Sequence, residues 1–234
     1  MKIFKVVAEL LYPNRCVFCE ELCKESVCVK CKQEVIYITE PNCKKCGKPI
    51  RYAEREYCHD CESRKKSFDV GRSLWLHKTV VAQSLYRFKY HKRMVNAKFY
   101  AKELVRKYAK LVYEWEIDEI IPVPVHKKRL AQRGFNQAEL VAEYISDYLK
   151  IPMNAKAIVR TTNTKAQKHL GFKGRRWNLR GAFRVVKGTK IAKRVLIIDD
   201  IYTTGSTLEE LAFTLKKAGA RKVCFLTISI GQGM

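Results

Sequence analysis

Beyond about residue 68 the chain alternates between two hydrophobic periods. Short apolar runs predict strands at Ser73–His77, Glu119–Val123, Ala155–Val159, Phe183–Val186, Val195–Asp199 and Lys222–Ser229. Between them, apolar residues recur every three or four positions. This predicts amphipathic helices over Thr79–Phe88, Asn96–Tyr113, Asn136–Leu149 and Ser206–Ala218. Strands alternating with helices imply an α/β fold with a mostly parallel sheet and flanking helices. Near the start, Ile3, Val6, Val7, Leu10 and Leu11 follow helical spacing, with Lys5 and Glu9 interrupting them. We read residues 2–11 as a short packing helix ended by Pro13, rather than an export signal. No stretch approaches the ~18 apolar residues of a membrane span. The cytoplasm is therefore the expected location, where reduced cysteines read as metal ligands before disulfides.

Nine of the ten cysteines lie between Cys16 and Cys61, and eight form four CxxC pairs: Cys16/Cys19, Cys28/Cys31, Cys43/Cys46 and Cys58/Cys61. A CxxC turn sets two sulfurs on one side of a tight knuckle, and two knuckles complete a tetrahedral S4 shell suited to Zn2+. Two zinc ions are expected. Pairing the first two and the last two knuckles is the simplest arrangement, though interleaved pairing also fits the spacing. Cys23 is a spare thiol, Gly47 relieves crowding after Cys46, and His59 is expected to be exposed rather than coordinating. The metal replaces a core that ~60 residues cannot build. Residues 1–66 thus read as a double zinc ribbon and residues 67–234 as the α/β domain, with Arg64-Lys65-Lys66-Ser67 as a polar linker.

The chain carries 47 Lys+Arg against 23 Asp+Glu, a formal +24. Residues 1–66 hold 14 and 10 of these and residues 67–234 hold 33 and 13, so the field that attracts polyanions belongs mainly to the α/β domain.

The apolar run Val195-Leu196-Ile197-Ile198 leads into Asp199-Asp200-Ile201-Tyr202-Thr203-Thr204-Gly205-Ser206-Thr207 and then a helix. Backbone N–H groups at that helix start favour a phosphate dianion. Thr203, Thr204, Ser206 and Thr207 add hydroxyl donors, and Gly205 admits close backbone approach. Two carboxylates at a strand end suit the vicinal hydroxyls of a ribose. A Walker-B strand would need an upstream GxxxxGK[ST] loop, which the sequence lacks.

Two basic segments are candidates for holding a pyrophosphate or DNA. From Ile120 to Ala138 there is no acidic residue, and Lys128, Arg129 and Arg133 follow a strand end at Ile121-Pro122-Val123-Pro124. Clustered cations there suit a pyrophosphate, with His126 as a positioned polar group. Residues 160–194 hold 12 Lys+Arg and no acid, including Arg175 and Arg176. Trp177 and Phe172 there suit either base stacking or core packing. Tyr86, Phe88, Tyr90, His91, Lys92 and Arg93 form a smaller aromatic and basic cluster.

The Asp199–Thr207 segment and its preceding strand resemble the phosphoribosyl pyrophosphate (PRPP) signature of type I phosphoribosyltransferases. The stretches RLAQRGFNQAELVA, RTTNTKAQK…RRWNLRGAF and VLIIDDIYTTGSTL, after a double cysteine ribbon, resemble ComF/ComFC proteins along essentially the whole chain. Two departures are the extra Cys23 and Lys165-Ala166, which stands where prolines are common. The resemblance implies a type I phosphoribosyltransferase-like sheet, with Asp199 and Asp200 on the ribose hydroxyls, Thr203–Thr207 around the 5-phosphate, and Mg2+ travelling with the diphosphate. It also implies a role in natural transformation, handling single-stranded DNA with a ComFA-like competence helicase/translocase. The alternative is an active transferase that moves phosphoribose to an unknown nitrogen acceptor and releases pyrophosphate. No residue stands out as a catalytic base.

Overall fold

Four strands make the central sheet, all parallel, in the order β1–β6–β5–β2: β1 is Val70–Leu76, β2 Glu119–Pro122, β5 Arg194–Tyr202 and β6 Lys222–Ile230. The remaining two, β3 (Ile158–Arg160) and β4 (Phe183–Val185), pair antiparallel in a separate ribbon. This is a computed structural model, and it describes residues 14–161 and 181–231. The expected helix over residues 2–11, and Phe172, Arg175, Arg176 and Trp177, lie outside the described residues.

β5 and β6 sit inside the sheet and are apolar on both faces, as a doubly covered parallel strand must be: Val195 through Ile198 and Val223 through Phe225 are buried without interruption. On one face pack α3 (Thr79–Tyr90), α4 (Asn96–Glu114) and α6 (Gln137–Leu149), meeting Leu196, Ile198, Cys224 and Leu226. On the other lie α7 (Ser206–Lys217) and the β3–β4 ribbon, meeting Val195, Ile197, Val223 and Phe225. Three short helices were not anticipated: α1 (Val29–Glu34), α2 (His59–Glu62) and α5 (Lys127–Arg133). Each is too short for a hydrophobic period to mark it. α5 is set by its ends, with His126 Nδ1 accepting from Lys128 N–H and Gly134 left-handed at φ +82.

The cysteine-bearing segment straddles the β1 edge. Ile36–Ile38 runs antiparallel beside β1, with Ile38 N–H donating to Leu74 O and Leu76 N–H to Ile36 O. This covers an edge that would otherwise offer unpaired backbone. The first pair of knuckles reaches one face of the sheet. Phe18, between Cys16 and Cys19, is fully buried and edge-on to Trp75 and Phe99 at 5.3 and 5.9 Å. Ser84 and Arg87 of α3 donate to the carbonyls of Val17 and Phe18. The second pair packs on the opposite face beside Phe68, Tyr202 and Phe225. Ser67 is fastened to α7, its N–H and hydroxyl both donating to Glu209. Among the described residues no helix is long and apolar enough to cross a membrane.

Candidate functional site

β5 runs further than its apolar run suggests. It stays paired with β6 through Tyr202↔Ile230, so Asp200, Ile201 and Tyr202 extend a strand that was expected to end at Asp199. Asp199 and Asp200 stand at the carboxyl end of an inner parallel strand, where such sheets place ligands. Here they floor a cleft of about 670 Å3, walled by Lys128, Arg129 and Arg133 after β2 and by Arg160 of β3.

The two carboxylates have different surroundings. Asp200 is ion-paired with Lys89 of α3 at 2.5 Å. Asp199 accepts the Asp200 N–H at 2.9 Å. Burial, and then the Asp200 charge, pushes the Asp199 carboxyl up to about 7, against the pull of Lys89 and Arg160. The cleft therefore presents two unlike carboxyls, Asp200 paired with a cation and Asp199 pushed toward its neutral form. That mixture of acceptor and donor suits a pair of sugar hydroxyls. Close to Lys89 and Asp200, His77 lies beyond β1 with Nδ1 3.0 Å from Ser229 Oγ, its pKa lowered by burial and then by the Lys89 charge.

The turn that follows is shaped by one residue. Gly205 is left-handed at φ +72, and a Cβ there would stand 2.4 Å from the Tyr202 hydroxyl oxygen. Only glycine fits both constraints. The capping residue Gly205 has no side chain to offer, and the Thr204 hydroxyl, bonded to that of Ser206 at 2.9 Å, meets the Ser206 N–H only at 3.5 Å. An uncapped helix start with clustered hydroxyls is a ready anion seat. The turn faces two ways. Thr203 and Thr207 line the aspartate cleft, while Thr204, Gly205 and Ser206 line a second cleft of about 590 Å3 shared with Arg64, Lys65 and Lys66.

Beneath the turn lies a metal site. Tyr202, stacked on Phe225 at 5.3 Å, turns its hydroxyl toward Cys46, and burial together with the Cys46, Cys61 and Cys58 charges holds its proton on. The four Sγ atoms of Cys43, Cys46, Cys58 and Cys61 lie within 4.8 Å of one another, as do those of Cys16, Cys19, Cys28 and Cys31. Cys19–Cys28 and Cys46–Cys58 are 3.6 and 3.7 Å apart. A tetrahedral zinc thiolate with ~2.3 Å bonds spaces its sulfurs by about 3.8 Å, so both donor sets fit Zn2+. The pairing is sequential, first knuckle with second and third with fourth. Cys23 stays outside, donating to Glu25 O at 2.8 Å, and His59 is exposed.

Comparison with known proteins agrees with this arrangement. Residues 7–62 match the double zinc ribbon domain. The chain is 30% identical over 217 residues to competence protein F of Haemophilus influenzae, covering 89% of this chain and 93% of that protein. The chain belongs to the competence protein F family. A second relative, competence protein ComFC of Bacillus subtilis, is 30% identical over 203 residues, 83% of this chain and 80% of that one. Among solved structures, a purine phosphoribosyltransferase from Pyrococcus horikoshii is 20% identical and covers 56% of this chain and 82% of its own, at a TM-score of 0.35.

In this member of the ComF family, Asp199, Asp200, Thr203, Thr207, Lys128, Arg129 and Arg133 converge on one cleft. Sequence reasoning missed Lys89 and Arg160 as site residues. Lys89 follows the buried Phe88 on α3 and reads in sequence as a helix-end cation; only the docking of α3 on the sheet brings it to Asp200. Arg133 is also more engaged than a solvated cation, donating to Gln137 Oε1 at 2.9 Å and to the Tyr90 hydroxyl at 3.1 Å.

Proposed function

We propose that this protein acts in natural transformation, where it holds a 5-phosphoribosyl ligand such as PRPP and grips incoming single-stranded DNA in the cytoplasm. The observation that carries the ligand half is the meeting in one cleft of a carboxylate pair, the Thr203 and Thr207 ends of the turn that Gly205 bends, and several cations. Asp199 and Asp200 hold the ribose hydroxyls, Thr203 to Thr207 wrap the 5-phosphate, and Lys128, Arg129 and Arg133 face the pyrophosphate with its Mg2+. The DNA half is supported by the +24 net charge, far more than a small ligand needs, and the role in competence by the names of the relatives. A ComFA-like helicase/translocase is the partner this role calls for.

The test compares wild type with Asp199→Asn/Asp200→Asn. PRPP at about 100 times its Kd adds about 2.7 kcal/mol of stability, several degrees in Tm. The double variant should lose that shift and should transform poorly. Wild type whose melting is indifferent to saturating PRPP and Mg2+ sinks the ligand reading. Pyrophosphate release with a defined nitrogen acceptor would make the protein a transferase instead of a grip.

A further inference from the structure

At the rim of the aspartate cleft, α3 carries two exposed tyrosines side by side. Tyr86 and Tyr90, one helical turn apart, are 57% and 48% exposed with ring centroids 4.9 Å apart. Tyr90 itself lines the cleft. The Arg133 guanidinium lies 4.9 Å from its ring centroid and donates to its hydroxyl, which fixes the ring in place. His91 stands edge-on to Tyr86 at 5.6 Å. Exposed Lys128 lines the same cleft, exposed Lys92 follows His91 in the chain, and the nearby acid Glu20 is already engaged by Arg87 and Arg93. An aromatic pair at this spacing also steadies its own helix, but that needs neither exposure nor surrounding cations. Flat rings open to solvent beside positive charge are what successive bases stack on while phosphates find lysine and arginine.

We infer that Tyr86 and Tyr90 form a base-stacking platform for single-stranded DNA, and that the strand passes over them along the Arg133 and Lys128 rim of the phosphoribosyl cleft. This rests on the single-strand half of the function proposed above and adds the place where the strand lies. Duplex, with its bases stacked inside, gains nothing from such a platform, so the surface discriminates single strand from double.

The test uses the full-length, zinc-loaded chain and fluorescence anisotropy with a labelled oligothymidylate of about 20 nucleotides and an abasic oligomer of equal length. Tyr86→Ala and Tyr90→Ala should each weaken binding to the thymidylate about 5-fold or more, and the double variant further, since one stacked base contributes at least that factor. Tyr86→Phe keeps the ring and should bind close to wild type, which guards against a folding defect, while Tyr90→Phe keeps the ring without its Arg133 hydrogen bond and should still bind more tightly than Tyr90→Ala. The slope of affinity on salt should not change, because phosphate contacts remain, and all variants should bind the abasic oligomer alike. Alanine variants within twofold of wild type, or equal losses on both oligomers, would overturn the platform. Wild type that binds no single strand at all would remove the DNA reading itself, a different failure from unaltered variants of a wild type that binds.

Discussion

A carboxyl pushed toward neutrality inside the aspartate cleft carries a stability signature that can be separated from the binding role proposed for it. Asp199 ionises near 3.8 when unfolded and about 7 in the fold, chiefly through burial. At ~1.36 kcal/mol for each tenfold change in proton affinity, the rise from 3.8 to about 7 sets a ceiling near 4 kcal/mol. Asp199 and Asp200 titrate as a pair and the cleft is open to water, so about 2–3 kcal/mol is the expected effect. Because the folded pKa lies above the unfolded one, the folded state holds an extra proton between about pH 4 and 7. Stability therefore falls as pH rises through that window, and the loss is complete above about pH 8. Asp199→Asn cannot ionise, yet its side-chain oxygen can still accept the Asp200 N–H. The variant should melt above wild type at pH 8, by about 4–12 °C at ~2–4 °C per kcal/mol for a chain of this size. The gap should narrow toward pH 5. Calorimetric melts of both proteins from pH 5 to 8.5 are the assay, with PRPP added in a second series in which only wild type should respond. Parallel curves across pH, or a variant that melts below wild type at pH 8, would refute the burial argument.

Other outcomes follow from the turn and the metal beneath it. Gly205→Ala forces a left-handed alanine against the Tyr202 ring; it should cost about 2 kcal/mol and abolish the PRPP-induced Tm shift, read by thermal melts with and without ligand. Cys58→Ser opens the second metal site, and it should halve the zinc content and weaken PRPP binding, because Tyr202 then loses the Cys46 side of its support under the Thr203–Thr207 segment. Unchanged PRPP affinity in a Cys58→Ser protein carrying a single zinc would show that metal and turn are independent.

Much of the architecture was legible because its signals are local. α4 and α6 were read within a residue of their ends, since long amphipathic periods and an Asn136 cap write themselves into the chain. The carboxylate pair and the Thr203–Thr207 turn were legible because strand, acids, hydroxyls and helix are contiguous. What could not be read is what folding assembles from afar. Asp200 meets Lys89 across more than a hundred residues, and Arg160 arrives from the antiparallel ribbon. The end of β5 was expected at Asp199, three residues early, for the same reason: the polar Asp199-Asp200 pair interrupts the apolar run, while the pairing with β6 that carries the strand on to Tyr202 is a tertiary fact. The sequential pairing of the cysteine knuckles likewise needed the geometry of four sulfurs.

The Ile36–Ile38 segment laid along β1 bears on how this chain behaves during synthesis. β1 leaves the ribosome long before β6, its sheet partner from near the far end of the sequence. Until then the strand has one neighbour, and that neighbour is held in shape by the metal-bound knuckles on either side. Parallel pairing across so long a loop is slow, so the waiting period is real. Zinc scarcity should therefore appear first as nascent chains joining edge to edge and leaving solution, before any finished molecule is found lacking its ligand.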